Sequence, residues 1–290
     1  MDKMIKEKVA EDVIVYKYRD WSNKLHRKVL KSKHQIYFAS PNTFNDPFDC
    51  RINYNFSCLS DKDREGYIDD RIEFLKEVKR VDESNEKFER NSIRKELEYP
   101  EKLHKEFNEI YNSRIGVFCC CQDEEIKKGW QNILMWSHYA NDHKGFCVGF
   151  YKDKLNCEVK SNLPNQMLKG GLVDYNEEFP ILKPLVPISK NMNEIGKNYM
   201  TGVKTKAINW EYENEYRLVR INLDSNEPEL KNRTVNLTND CIAEVTLGLS
   251  ISKCHEEQIT EICRKKNIRL YKAVKTPLKF SITRKEIYLS

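Results

Sequence analysis

Three glutamates alternate in the run Trp210-Glu211-Tyr212-Glu213-Asn214-Glu215-Tyr216-Arg217. In an extended chain, side chains two apart share a face. Glu211, Glu213 and Glu215 are therefore expected together, with Arg217 beside them. Crowded carboxylates repel unless cations or sugar hydroxyls meet them. One of them can hydrogen-bond a ribose hydroxyl while its neighbour stabilises positive charge on a sugar carbon. Without a ligand, the same run is an edge strand with a wet acidic face.

Three further groups carry chemistry. The segment SPNTFNDPFDC, residues 40–50, sets Asn42, Asn45, Asp46 and Asp49 among turn-forming residues, with Phe44 and Phe48 expected to anchor it to the core. Its polar groups can bind a sugar, orient a base or hold a cation; the bland alternative is an Asx turn that caps its own backbone. In MWSHYANDHKGFCVGF, residues 135–150, a helix ending near Ala140 puts His138 at its C-terminus, where positive charge is favoured. His138 can then carry a proton or donate to a ligand, or, like His143, simply cap or fill the core. Tyr16, Lys17, Tyr18 and Arg19 alternate aromatic and cation, a pattern that can embrace a phosphate and stack a base but also occurs in ordinary strands.

These groups need positioning elements. Strands are expected at residues 13–18, 35–39, 115–121, 145–150, 170–175, 215–222, 242–247 and 268–274, and helices at 21–31, 130–139, 191–208 and 256–266. Residues 61–112 are densely charged with both signs, and Ile68, Ile72, Leu75 and Leu103, Phe107, Ile110 recur at helical spacing. They read as a helical insertion or lid within a single domain spanning 1–290. Strands and helices do not alternate as in a doubly wound fold. The expected class is α+β: a mixed, mainly antiparallel split sheet with flanking helices and the charged helical insertion. GxGxxG and GxxxxGK[ST] are both missing, so the usual dinucleotide and P-loop fingerprints do not apply.

Composition narrows the classes. The chain has 290 residues, and its 15 Tyr and 12 Phe argue against a disordered chain. A formal net charge of +5 is too small to demand a nucleic-acid partner. The stretch 264–286, with nine Lys or Arg and one acid, is the one candidate patch for a polyanion. No apolar run approaches the roughly 20 residues needed to cross a bilayer, and the N-terminus lacks a signal-peptide core, so a cytoplasmic location and no membrane partner are expected. The ten cysteines are then expected reduced, most of them as small buried hydrophobes. Cys119, Cys120 and Cys121 are adjacent, which is not zinc-ligand spacing. No metal is expected.

The YKYR strand, the FNDPFD loop, the WSHYA-HKGFCVGF block and the late EYENEYR run together resemble a bacterial family known as domain of unknown function 2971. The chain is also distantly similar to ADP-ribosyltransferases, which look like a split mixed sheet around an NAD cleft. That resemblance implies an early-strand cation, here Arg19, an aromatic or hydroxyl residue at a second strand, here Tyr37 or Ser40, and a late E-x-E pair, here Glu213 and Glu215. The first strand lacks a histidine, and Glu211 leaves the register of the pair open.

The resemblance implies a transferase or NAD hydrolase with NAD as substrate. Glu213, Glu215 and His138 are its expected catalytic residues. Lys17, Arg19, Tyr37, Ser40, Phe44, Asn45 and Asp46 would bind the dinucleotide. Such an enzyme would harm its host unless controlled, which suggests a phage-defence or toxin-like effector with a regulatory protein partner. Two other readings stay open: a non-enzymatic nucleic-acid or nucleotide-binding module, and a metal-dependent nuclease or phosphoesterase using Asp46, Asp49 and the late glutamates.

Overall fold

In β1 (Ile14–Arg19), Val15, Lys17 and Arg19 fall on one face and Tyr16 and Tyr18 on the other. This computed structural model describes residues 12–31, 33–51, 54–56, 59–124, 127–163, 166–186, 188–222 and 230–289. Residues 1–11, most of the N-terminal stretch read for a signal peptide, and Cys58 lie outside them. The other strands are β2 (Gln35–Tyr37), β3 (Ile115–Gln122), β4 (Phe146–Tyr151), β5 (Met167–Leu172), β6 (Asp174–Asn176), β7 (Thr205–Ala207), β8 (Glu215–Ile221), β9 (Thr234–Asn236), β10 (Ile242–Leu247), β11 (Arg269–Lys275) and β12 (Ile282–Ile287). The helices are α1 (Asp61–Glu77), α2 (Glu86–Glu98), α3 (Glu101–Arg114), α4 (Ile133–Tyr139), α5 (Lys152–Asn162), α6 (Met192–Lys204) and α7 (Lys253–Lys266).

Eight strands form one sheet in the order β12-β11-β10-β4-β1-β3-β8-β5. Within it only β10 and β11 run parallel, so the α+β, mainly antiparallel reading holds. The sheet has one weak seam. β1 pairs with β4 over all six of its residues, and β3 pairs with β8 from Ile115 to Cys121. Between β1 and β3 the paired positions are only Val15 with Gln122 and Tyr16 with Cys121. Past Tyr16 the two strands part. Ala39 then takes up the edge of β3, exchanging two backbone hydrogen bonds with Val117.

Helices cover both faces. One core joins Val15, Phe118, Phe150 and Leu218 to Leu155 and Val159 of α5 and Ile259 and Cys263 of α7. Full burial of one such aliphatic side chain contributes about 1.5–3 kcal/mol. The opposite face carries two cores: Tyr16 and Tyr18 pack on Trp136 of α4, while Val117 and Val219 pack toward α1, α3 and α6. Helix α1 starts at a capping box between Ser60 and Asp63. The charged helices carry ion pairs along their surface, among them Arg90 with Asp69 and Arg94 with Glu65.

Several local expectations fail for identifiable reasons. Residues 21–31 form only a single 3-10 turn, His26–Val29. Asp20 and Asn23 accept from the backbone N–H groups of Ser22 and Leu25, diverting the chain from helix. Glu211, Glu213 and Glu215 do not share a strand face. Ile208–Glu213 is a 3-10 helix, and Asn214 turns left-handed at φ 41° before β8 begins. Phe48 is not an anchor: it is 63 % exposed.

Candidate functional site

The parting of β1 and β3 opens a cavity of about 890 Å³. Its lining takes in Lys17 and Arg19 of β1, Cys119 and Cys120 of β3, Tyr37, Phe44 and Asn45, and His138, Glu213 and Glu215. Eight of the ten residues singled out above thus border one space. The other two lie outside the lining. The Ser40 hydroxyl donates to the carbonyl of Asn112, and Asp46 accepts from the N–H of Phe48 to close its own turn. No residue of 61–112 lines the cavity.

One wall is cationic. Lys17 Nζ donates across the gap to the Cys119 carbonyl and lies 5.3 Å from the Phe118 ring centre. Among the described residues neither Lys17 nor Arg19 forms an ion pair with a carboxylate. Burial, with Arg19 adding to it, lowers the Lys17 ammonium below its ordinary value, and burial lowers Arg19 to about 10. His26 completes this wall; burial and then Arg19 bring it down to about 4. A group that lowers these values by crowding positive charge in a covered space is a ready partner for an anion.

The facing wall is a buried charge cluster. Lys206 Nζ lies 2.5 Å from Glu213, 3.2 Å from Glu215 and 3.4 Å from Asp49. Arg217 is fully buried. Its Nε and Nη2 hold both oxygens of Glu215 at 3.0 and 2.8 Å, and Nη2 also holds Asp49 Oδ2 at 2.7 Å. With all five groups ionised, the cluster carries one surplus negative charge. Glu213 takes the consequence: burial, then repulsion from Glu215, lifts its carboxyl above the usual range despite Lys206 and the Tyr139 hydroxyl, which donates to it at 2.7 Å. Burial acts on Glu215 too, but Arg217 and Lys206 prevail and hold it well below that range.

Local turns aim these groups. Asn141, Asp142 and His143 all have positive φ, a left-handed turn between α4 and β4. The turn places Asn141 against Asp20 at 3.4 Å, beside Arg19. Gly145 is needed there, since a Cβ would stand 2.1 Å from the Arg19 carbonyl oxygen. His143 stacks on Trp136 and shares a hydrogen bond with Ser137, so it is a packing residue. His138 is exposed in the last turn of α4 and borders the cavity.

Lys206 and His26 escaped the sequence reading. Lys206 lies on the short β7 and no spacing announces it; the only signal was that clustered glutamates require a cation. The other readings find less support. Glu211 is exposed and stands apart from the buried cluster of Glu213 and Glu215. Among the described residues no group of three or more His, Cys, Asp or Glu is arranged to hold a metal. Four of the nine basic residues of 264–286 are paired: Arg264 and Lys265 with Glu261, Lys272 with Glu256 and Arg284 with Glu244. No described helix is long and apolar enough to cross a membrane.

Comparison with curated proteins and with solved structures finds no match. Residues 135–218, which include His138, Lys206, Glu213 and Glu215, match the family described as protein of unknown function (DUF2971).

Proposed function

We propose that the cleft binds a dinucleotide of the NAD type and breaks the bond between nicotinamide and ribose, passing the ADP-ribosyl group to an acceptor or to water. One observation carries this reading. A single cavity sets two cations that have no carboxylate partner among the described residues opposite a buried carboxylate cluster with surplus negative charge. Its volume of about 890 Å³ is within the range of small-molecule sites.

Lys17 and Arg19 hold the pyrophosphate, and Tyr37 or Phe44 offers an aromatic face to a ring. As the glycosidic bond breaks, its electron pair moves onto the nicotinamide nitrogen and quenches the formal charge there. Positive charge grows at the sugar carbon, where the carboxylate of Glu213 stabilises it. Water or another nucleophile then bonds to that carbon and gives its proton to Glu213, whose raised affinity for protons suits it to the task. Glu215, gripped by Arg217, keeps Glu213 and Lys206 in place, and His138 positions the acceptor. Uncontrolled, such an activity depletes a cell of NAD, which fits an effector in phage defence or a toxin-like role.

The test is nicotinamide release from NAD by the purified protein, with chelator present throughout. Glu213→Gln should lower kcat about 100- to 1,000-fold, while Arg19→Ala should act chiefly on KM. Failure of the wild-type protein both to release nicotinamide and to bind NAD in calorimetry would falsify the reading.

A further inference from the structure

The cationic wall runs in one direction, away from the charge cluster. Lys17 reaches the Cys119 carbonyl, and Cys119 pairs in register with Arg217. Arg19 lies two residues on, where Glu215 no longer counts among the charges acting on it. Next to it the Asp20 N–H donates to His26 Nδ1 at 3.3 Å, which holds the 3-10 turn His26–Val29 against this end of the wall. Lys28 of that turn borders the cavity, as do Gln35 and Tyr37 of β2. A dinucleotide with its nicotinamide ribose at Glu213 and its pyrophosphate at Lys17 and Arg19 therefore lays its adenosine half between this turn and β2.

That end holds more positive charge than a pyrophosphate answers. Residues 21–45 contain five Lys or Arg and no acid. Of the acids bordering the cavity, three belong to the buried cluster, and the fourth, Asp20, is engaged by Ser22 and Asn141. Lys28 forms no ion pair among the described residues, so it is a third cation of the wall against the two charges of a pyrophosphate. His26 adds a directed donor. Its Nδ1 accepts from Asp20, so the ring carries its proton on Nε2, which has no acceptor among the described residues. Both groups are within reach of a ligand: Lys28 is exposed, and His26 is half-buried on the cavity's border. Tyr37, 49 % exposed at the same end, offers its ring to a base. Phe44, 5.7 Å from the Arg217 guanidinium, is left for the nicotinamide.

Resting on the reading that the cleft takes an NAD-type dinucleotide, we infer that its preferred substrate carries a phosphate monoester on the adenosine ribose, as NADP does. Lys28 Nζ and the His26 Nε2–H hold that phosphate, and Tyr37 stacks on the adenine. The added phosphate answers the cation that a pyrophosphate leaves over. NAD, with a hydroxyl in its place, enters the same cleft but leaves Lys28 without an anion.

The experiment compares NADP with NAD by kcat/KM for nicotinamide release and by calorimetric binding. The wild-type protein should favour NADP about 10- to 100-fold. Lys28→Glu, a change at an exposed position, should bring that ratio to about one or below. His26→Ala, which keeps Lys28, should lower it by about threefold to tenfold. Equal use of NADP and NAD by the wild-type protein overturns the inference and leaves the reading of the cleft standing. An unchanged ratio in either variant of native melting temperature overturns it too. Should neither dinucleotide bind or release nicotinamide, the reading of the cleft itself falls, and this one with it.

Discussion

Lys206→Met is the most informative perturbation of the charge cluster. Methionine nearly matches the lysine stem in length and flexibility, so packing is kept and only the cation is lost. Glu213, Glu215 and Asp49 then share Arg217 alone, and the cluster carries two surplus negative charges instead of one. The bond lengths to Nζ, 2.5 and 3.2 Å, place one oxygen of Glu213 within about 6 Å of one of Glu215. Two charges about 6 Å apart at an effective dielectric of about 20 repel by about 3 kcal/mol, a repulsion that Lys206 offsets in the wild-type protein and that the substitution leaves unopposed. This agrees with the roughly 3–5 kcal/mol lost when one partner of a buried pair is removed.

For a chain of this size that loss corresponds to a fall in Tm of roughly 5–8 °C. The pH dependence has a definite sign. Glu213 already binds its proton more tightly in the folded protein, and the substitution increases that tendency. Its contribution is then fully present below the ordinary glutamate pKa of about 4.3 and is lost as pH rises through the raised folded value. The deficit should therefore be small near pH 4 and larger at pH 8 in thermal melts. Lys206→Met with Glu213→Gln restores the wild-type net charge and should recover at least half the loss. A deficit under about 1 kcal/mol, or one equal at both pH values with no recovery in the double variant, would refute the charge argument.

Two other perturbations test the scaffold. Gly145→Ala drives a Cβ into the Arg19 carbonyl, so it should cost about 1–3 kcal/mol in denaturant melts; it should also weaken NAD binding, although Gly145 itself stays outside the cavity's lining. Arg284→Met strands Glu244, which is 2 % exposed and held by Arg284 through both oxygens. A loss of about 3 kcal/mol is expected, with faster hydrogen exchange along β12; unchanged exchange there would show that this pair does not pin the strand.

The strands were legible where burial is simple. The β-branched and apolar run of β10 stands between a turn and Gly248, and its bounds follow directly from the residues. Helix α7 starts earlier than its apolar pattern suggests, because the Ser252 side chain accepts from His255 N–H and sets the cap upstream. Helix α5 was missed: in KDKLNCEVKSN only Leu155 and Val159 face the core, too few to give a period. The candidate site was legible residue by residue but not in its geometry. Alternation suggested a flat acidic strand; the left-handed Asn214 instead folds Glu213 back over Lys206, which tertiary contact alone requires.

Three costs fall in one place at the gap. From Lys17 to Arg19 the sheet gives up the ladder between β1 and β3 while β1 stays paired with β4. Beside the gap, three carboxylates and two cations are buried, although ion pairs in such settings rarely exceed apolar packing in stability. Facing them, Lys17 and Arg19 are half-buried and, among the described residues, form no ion pair with a carboxylate. Each departure alone has a bland explanation. A stability argument gives no reason for them to coincide. A ligand that brings anionic oxygens to one wall and developing positive charge to the other satisfies both walls at once and fills the gap the missing hydrogen bonds leave open.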